Sequence, residues 1–233
     1  KRRWRLSNDD DIPVISSKQL SAGLSYSAKG WLVNMVGYFK NVNGITTSSQ
    51  GFQNQYEFES AIGSYDAMGM DLLIRKQFKN LNTWLSYSYL SSDYTFESLP
   101  DTSFPNNLEV MNSITLGSTY TTSHFLFSAG LNWHSGKPIT LPIVGNEVLG
   151  NSINYGTVNK ERLDDYMRVD VSAIYQFKLR ETSKVNIGVS VWNLLDKENT
   201  INTFYRLSAL GAAEEIGQNS LGITPNAVLR VYF

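Results

Sequence analysis

The segment YMRVDVSAIYQFKL, residues 166–179, alternates between apolar and polar side chains along most of its length. One set of alternating positions holds Met167, Val169, Val171, Ala173 and Tyr175. The other set holds Arg168, Asp170, Ser172 and Gln176. Because successive side chains of a β-strand point to opposite faces, this pattern predicts a strand with one apolar face and one polar face.

The same two-residue period recurs in other segments, and no stretch shows the spacing of an amphipathic helix. Seven of these segments are KQLSAGLSYSA (18–28), AMGMDLLIRKQF (67–78), NLNTWLSYSYL (80–90), LEVMNSITLGSTY (108–120), HFLFSAGLNWH (124–134), KVNIGVSVWN (184–193) and NAVLRVYF (226–233). An eighth, WLVNMVGYFKNV (31–42), is apolar on both faces, so its register stays open. The pattern predicts an all-β chain of about nine antiparallel strands.

The connections between these strands alternate strictly between short and long. Tight turns are expected at residues 28–31, 77–80, 121–124 and 180–184. Long polar loops are expected at residues 43–65, 96–107, 137–165 and 196–223. A soluble β-sandwich has no reason to gather its long loops at one end, whereas an outer-membrane barrel has short periplasmic turns and long extracellular loops. We therefore predict an antiparallel transmembrane β-barrel wall, with specificity located in the long loops.

The polar face of the predicted strands supports the barrel over the sandwich. Its candidate lumen-facing residues are Asp71, Arg75, Arg168, Asp170, Gln176 and Asn186. Charged side chains are costly in a dry core but are stable in a wetted or plugged lumen. Arg168 and Asp170 are spaced to pair across strands or with a plug, and wall salt bridges explain them at least as well as substrate contact.

Composition excludes several functions. The chain has 233 residues, no cysteine and a formal net charge of −1 at pH 7. The absence of cysteine excludes disulfides and thiolate metal sites, and the charge gives no attraction to nucleic acid. His124 and His134, the only histidines, are too far apart along one predicted strand to share a metal. We expect no cofactor and no enzymatic activity, because no Ser/His/Asp arrangement suggests a barrel lipase.

Two charged stretches near the start of the chain have alternative explanations. The acidic run Asn8 to Asp11 suits a calcium site in an extracellular loop, but it lacks the glycine and the distant glutamate of a calcium loop. A solvated acidic patch is therefore favoured. The basic run KRRWR, residues 1–5, fits either contact with lipopolysaccharide phosphates or the end of a strand.

The C-terminal segment NAVLRVYF places Ala227, Leu229, Val231 and Phe233 on one apolar face. A final alternating strand that ends in an aromatic residue resembles the signal read by the barrel-assembly machinery of the bacterial outer membrane. The resemblance implies that these four residues direct assembly, with that machinery and outer-membrane lipid as partners.

The stretch VSVWNLLDKEN, residues 189–199, resembles the penultimate-strand motif of TonB-dependent outer-membrane transporters. The matching residues are, in order, Asn193, Leu194, Leu195, Asp196 and Lys197. TPNAVLRVYF (224–233) is similar to the final strand of that family, and RLDDYMRVDVSAIYQF (162–177) to an earlier one. WHSGKPIT (133–140) and MGMDLLIRKQF (68–78) resemble two further strands, with Asp71 in place of a glutamate. The matches span residues 66–233 in order, and the first 65 residues fit loosely.

The resemblance implies a 22-stranded barrel with a plugged lumen. It implies active uptake of a scarce nutrient of the siderophore, cobalamin, glycan or peptide class, energised through TonB. The plug and the TonB-contacting segment lie at the N-terminus of the family and are not found here. We therefore expect residues 1–233 to be the C-terminal portion of the barrel, with the plug and about 13 strands in the remainder of the protein.

Two other classes of function fit the strand pattern. A passive porin or channel barrel lacks a plug and usually carries rings of charge at a constriction. A structural or adhesion barrel uses its loops to bind a partner protein. The coding sequence before Lys1 would separate a plugged transporter from both.

Overall fold

The computed structural model describes residues 6–8, 12–180 and 183–233, and it consists almost entirely of β-strands. The strands are, in chain order, β1 (Ser16–Ala28), β2 (Trp31–Thr46), β3 (Ile62–Gln77), β4 (Leu81–Thr95), β5 (Ser103–Pro105), β6 (Asn112–Thr121), β7 (Phe125–His134), β8 (Pro138–Ile139), β9 (Val148–Leu149), β10 (Ser152–Ile153), β11 (Glu161–Arg162), β12 (Tyr166–Arg180), β13 (Ser183–Trp192), β14 (Thr200–Leu207), β15 (Ala213–Asn219) and β16 (Thr224–Tyr232). The one helix in the described chain, α1 (Thr47–Gln50), is a single turn that ends at Gly51. None of the described helical structure has the length and apolar character needed to cross a bilayer.

Nine long strands form one antiparallel sheet in the order β1-β2-β3-β4-β6-β7-β12-β13-β16, and β5 pairs beside β4. Each long strand pairs with the next long strand along the chain, so the sheet is an up-and-down meander. The prediction of about nine antiparallel strands is confirmed. The short strands were not predicted; apart from β5 they pair as β8 with β11, β9 with β10 and β14 with β15.

Pairing register gathers the apolar positions into rows on one face of the sheet. One row runs through Tyr26, Val33, Ile74, Leu85, Leu116, Leu131 and Val169. A second row runs through Leu24, Met35, Leu72, Tyr87, Ile114, Trp133 and Met167. Many of these side chains are open to the surroundings, with Leu24 80% exposed. So broad an apolar face does not suit water and indicates contact with lipid.

The pairing register also determines which side chains of β2, the strand that is apolar on both sides, lie on the apolar face of the sheet. In β2, Val33 pairs with Ile74 and Met35 with Leu72, which puts the odd-numbered residues on the apolar face. Leu32 and Val36 lie on the other face. Periodicity within β2 could not decide this, because the decision depends on its neighbours.

All the described short turns lie at one end of the sheet and all the long connections at the other. The first three predicted turns are confirmed, and the fourth falls at residues 181–182, outside the described residues. The long connections are loop 1 (47–61), loop 2 (96–111), loop 3 (135–165) and loop 4 (193–223). Loop 1 is shorter than the predicted 43–65, because β2 and β3 stay paired beyond Asn41 and Asp66.

The loops have a hydrophobic core of their own. This loop cluster consists of Val42, Ile45, Phe52, Tyr56, Ala61, Tyr94, Phe96, Leu99, Phe104 and Val158. The Phe52 ring lies 5.4 Å from that of Tyr94, 5.8 Å from that of Phe96 and 5.8 Å from that of Phe104, all edge-on. Edge-to-face packing suits aromatic quadrupoles, so the cluster fixes loops 1, 2 and 3 against one another.

Candidate functional site

The six predicted polar positions all lie on the face opposite the apolar rows. Asp71 is in one cross-strand row with Ser88, Ser113, His134 and Tyr166. Arg75 is two rows further along the same face, with Trp84, Gly117, Gly130 and Asp170. Gln176 pairs with Asn186 on the neighbouring strand, and Asn186 pairs on its other side with Arg230. Arg168 shares this face because it lies two residues from Asp170.

Arg168 and Asp170 form an ion pair within one strand. Arg168 Nη2 lies 2.9 Å from Asp170 Oδ2, and Arg168 Nε donates to the same oxygen at 3.0 Å. Asp170 Oδ1 accepts a hydrogen bond from the Asn193 backbone N–H at 3.0 Å. The pairing across strands that the spacing suggested is therefore not what is seen. Both Asp170 oxygens are engaged, which favours the structural explanation of this pair.

The NLLDK segment is a tight turn that connects three strands. Asn193 is buried at a φ of 51°, and its Nδ2 donates to the carbonyls of Lys197 and Leu221 at 3.0 and 3.1 Å. The Leu194 N–H donates to the Val169 carbonyl at 2.7 Å. Asp196 Oδ1 accepts from the Ile223 N–H at 2.7 Å. An asparagine tolerates this left-handed backbone and supplies the donors, so the motif closes the ends of β12, β13 and β16.

A charged contact joins loops 2 and 3. The Glu109 carboxylate, only 3% exposed, pairs with the Arg162 guanidinium and accepts from the Ser92 N–H at 2.6 Å. Arg162 also donates to the Gly136 carbonyl at 3.1 Å. Periodicity gave no signal for this pair, because its members are far apart in sequence and lie outside the long strands.

Residues from all four loops line one cavity of about 540 Å³, which we call the loop pocket. Its lining is dominated by the amide side chains of Gln50, Gln53, Asn54, Asn107, Asn159 and Asn202. Lys137 is its one cation, and none of the described residues contributes a carboxylate or an aromatic ring to it. Specificity was expected in these loops, but the sequence does not single out these amides, because they come from four separate connections.

A second pocket of about 250 Å³ lies next to the loop pocket and shares Lys137 and Ile201 with it. His134 and Tyr166 also line it, with their rings stacked 4.8 Å apart at an interplanar angle of 4°. Both belong to the polar face, so the two pockets lead from the loops toward that face. Asp164 contributes the one carboxylate of the second pocket.

One tyrosine of the loop cluster has a perturbed ionisation. The Tyr56 hydroxyl lies 2.8 Å from Asp101 Oδ2, and burial raises the pKa of Tyr56 above its ordinary value. The neutral phenol is therefore the form that the folded loops favour.

Several other predicted residues lie away from the pockets. Ala227, Leu229 and Val231 are in β16, where they pair with Val189, Ile187 and Val185, and Phe233 follows at the chain end, 99% exposed. His124 lies in the turn before β7, not on the strand. Residues 1–5 and 9–11 are outside the described residues, so the predictions for the basic run and for the acidic residues Asp9 to Asp11 stay predictions. The described residues contain no group of three metal-binding side chains.

Comparison with solved structures finds the same fold. The unliganded ferric citrate transporter FecA aligns with a TM-score of 0.66 and 14% identity, over 93% of this chain and 31% of FecA. The FrpB iron transporter from Neisseria meningitidis gives 0.65 and 12%, over 97% and 32%. The ferric yersiniabactin uptake receptor FyuA from Yersinia pestis gives 0.64 and 14%, over 94% and 30%. The chain thus spans about a third of the length of these proteins.

Sequence comparison gives the family. No curated protein matches the chain. The family model described as TonB dependent receptor-like, beta-barrel matches residues 6–194, which is most of the chain. The match agrees with the nine-stranded antiparallel meander. The chain belongs to the TonB-dependent receptor β-barrel family of the bacterial outer membrane.

Proposed function

We propose that this chain forms part of the wall of an active transporter that takes up a scarce nutrient with energy delivered through TonB. The observation that carries the proposal is the two-sided sheet. Its continuous apolar face suits lipid, and its polar face leads to pockets beneath four loops on one side of the membrane. Membership of the TonB-dependent receptor family supports the energy source.

The polar face has a role in this proposal. Its candidate residues are Asp71, Arg75, Arg168, Asp170, Gln176 and Asn186. They face the lumen, where a plug would pack against them. Asn186 Oδ1 is buried without a hydrogen-bond partner among the described residues. A buried acceptor of this kind costs stability, and because the chain's own atoms already cover it, a plug would contact the exposed groups of this face and not this oxygen.

Partners follow from the same proposal. Residues 1–233 would be the C-terminal portion of a 22-stranded barrel, with the plug and about 13 strands in the remainder of the protein. TonB would act on the N-terminal part. The barrel-assembly machinery would read Ala227, Leu229, Val231 and Phe233. Substrate of the siderophore, cobalamin, glycan or peptide class would enter through the loops, and the protein would not be an enzyme.

Uptake measurements test the proposal. The full-length gene is deleted, and uptake of labelled ferric citrate, a ferric catecholate, cobalamin and an oligosaccharide mixture is compared with that of the parent strain. We expect one of these uptakes to require both this gene and TonB. Uptake that persists without TonB would indicate a passive channel. A large open conductance of the purified full-length protein in planar bilayers would also contradict the proposal.

A further inference from the structure

The loop pocket has lining chemistry that restricts its ligand. Six amides, the hydroxyls of Thr140 and Thr203 and one ammonium supply its polar groups. Each amide carries both donors and an acceptor. Hydroxyl groups also donate and accept, so a ligand dense in hydroxyls can satisfy such a lining. The volume of the loop pocket lies within the range of roughly 300–1,000 Å³ that is usual for small-molecule sites.

Part of this lining is held in place before any ligand arrives. The Tyr94 hydroxyl lies 3.1 Å from Gln50 Oε1 and 2.8 Å from Asn107 Oδ1. Asn159 Nδ2 donates to the Pro105 carbonyl at 2.7 Å, and its Oδ1 accepts from Thr140 at 3.1 Å. These amides therefore form a preorganised frame, which lowers the entropy cost of binding.

Other groups of the lining are free to contact a ligand. Within the described parts of the chain, the side chains of Gln53 and Lys137 make no hydrogen bond or ion pair. Asn54 Oδ1 accepts from the Tyr56 N–H at 2.9 Å, which leaves the Asn54 amino group available. The free groups are thus mainly donors, and only one of them is charged.

This charge balance argues against a highly charged ligand. A tris-catecholate or citrate complex of ferric iron carries several negative charges, and in this pocket only Lys137 would oppose them. Charge that is desolvated without a partner is costly. The adjoining second pocket adds one carboxylate, Asp164, which balances the charge of the shared Lys137.

We infer that the loop pocket binds a neutral, hydroxyl-rich ligand of the oligosaccharide class. The two pockets share Lys137 and Ile201, which favours an elongated oligomer over a single ring, and the aromatic residues His134 and Tyr166 line the second pocket, where a sugar could pack against them. This inference names a substrate class for the proposed transporter and so rests on that function.

Binding to the purified full-length protein tests the inference without requiring transport. The labelled protein is applied to an array of neutral and acidic oligosaccharides, and a hit is titrated by calorimetry. Ferric citrate, a ferric tris-catecholate, cobalamin and a tripeptide mixture are titrated in parallel. We expect a neutral oligosaccharide to bind, with an affinity that changes less than about twofold when salt is raised, because salt screens only charged pairs.

Matched variants then locate the site. Gln53→Leu should weaken binding roughly fivefold by removing one hydrogen bond. Gln55→Leu is the control, since Gln55 lies two residues away and does not line the pocket. Lys137→Gln should bind nearly as well as the wild type and Lys137→Met less well, because a neutral ligand needs a donor and not a charge. Thermal unfolding checks that all four variants fold.

Several results would overturn the inference. One is that the protein retains no oligosaccharide on the array. Another is that it binds an iron chelate, cobalamin or the peptides more tightly than any oligosaccharide. A third is that Lys137→Gln and Lys137→Met lose equal amounts of binding affinity. Glycan binding by a protein that does not transport would leave the inference intact and refute only the proposed transport function.

Discussion

Replacing Val171 by arginine should destabilise the barrel by about 2–4 kcal/mol, because Val171 lies near the middle of the apolar face, which we propose contacts lipid. Val171 pairs with Val191 and Ala129 on the apolar face. The apolar positions of β12 run from Met167 to Phe177. At about 3.4 Å per residue and a tilt of about 40°, these ten steps span roughly 26 Å, close to the height of about 25 Å of an apolar band. The midpoint of this span is Ser172, one residue beyond Val171.

The measurement is the urea midpoint of the full-length protein in phospholipid vesicles. The control is Ser172→Arg, since Ser172 lies next along the strand on the polar face, opposite Ser128 and Ser190. An arginine there can reach water in the lumen and should cost less than about 1 kcal/mol. Equal shifts for the two variants would refute the assignment of the faces, and a larger shift for Ser172→Arg would reverse it.

Four further predictions concern the chain end, the motif turn and the loops. Deleting Phe233 should lower the amount of protein in the outer membrane without changing ligand affinity in assembled molecules; equal amounts on immunoblots of outer membranes would contradict an assembly role. Asn193→Ala should cost about 2–3 kcal/mol, because two carbonyls lose their donor and alanine resists a φ of 51°; an unchanged melting temperature would argue against this. Phe52→Ala should cost about 3–5 kcal/mol in the loop cluster and raise hydrogen exchange there, whereas Phe58→Ala, at a site 92% exposed, should not. Burial raises the pKa of Tyr56, so the stability that its neutral hydroxyl contributes is fully present below about pH 10. That stability is lost as the pH rises through the raised pKa; a Tyr56 absorbance change that titrates at the ordinary tyrosine pKa would contradict this.

The wall could be predicted from the sequence because its pattern is local. In β12, alternation over residues 166–179 was enough to assign both the strand and its faces, and neighbouring segments followed the same period. Val33 and Met35 show the limit, since β2 is apolar on both sides and only pairing with Ile74 and Leu72 selects its lipid face. Loop 1 was predicted too long because the ends of β2 and β3 contain glycine and polar residues and a register shift between Asn43 and Ile45, which interrupts the two-residue period.

The loop cluster and the loop pocket could not be predicted in the same way. Phe52, Phe104 and Val158 meet although they come from three different loops, and no local spacing records such contacts. The NLLDK motif was found from its resemblance to a family, but the role of Asn193 depends on the Leu221 carbonyl and on Asp170, which are distant in sequence. The sequence therefore supported only the hypothesis that the long loops hold specificity, and the fold shows which amides share a cavity.

The loop cluster also affects how such a surface protein can evolve under attack. Phe58, Val144 and Leu210 are loop residues with exposures of 92%, 93% and 96%, so a bacteriophage or antibody that bound these loops would have access to them. None of these three belongs to the loop cluster or lines the loop pocket. Substitutions at these three positions therefore leave the loop cluster and the lining of the loop pocket unchanged, so the outer surface of the loops can vary while the pocket is kept.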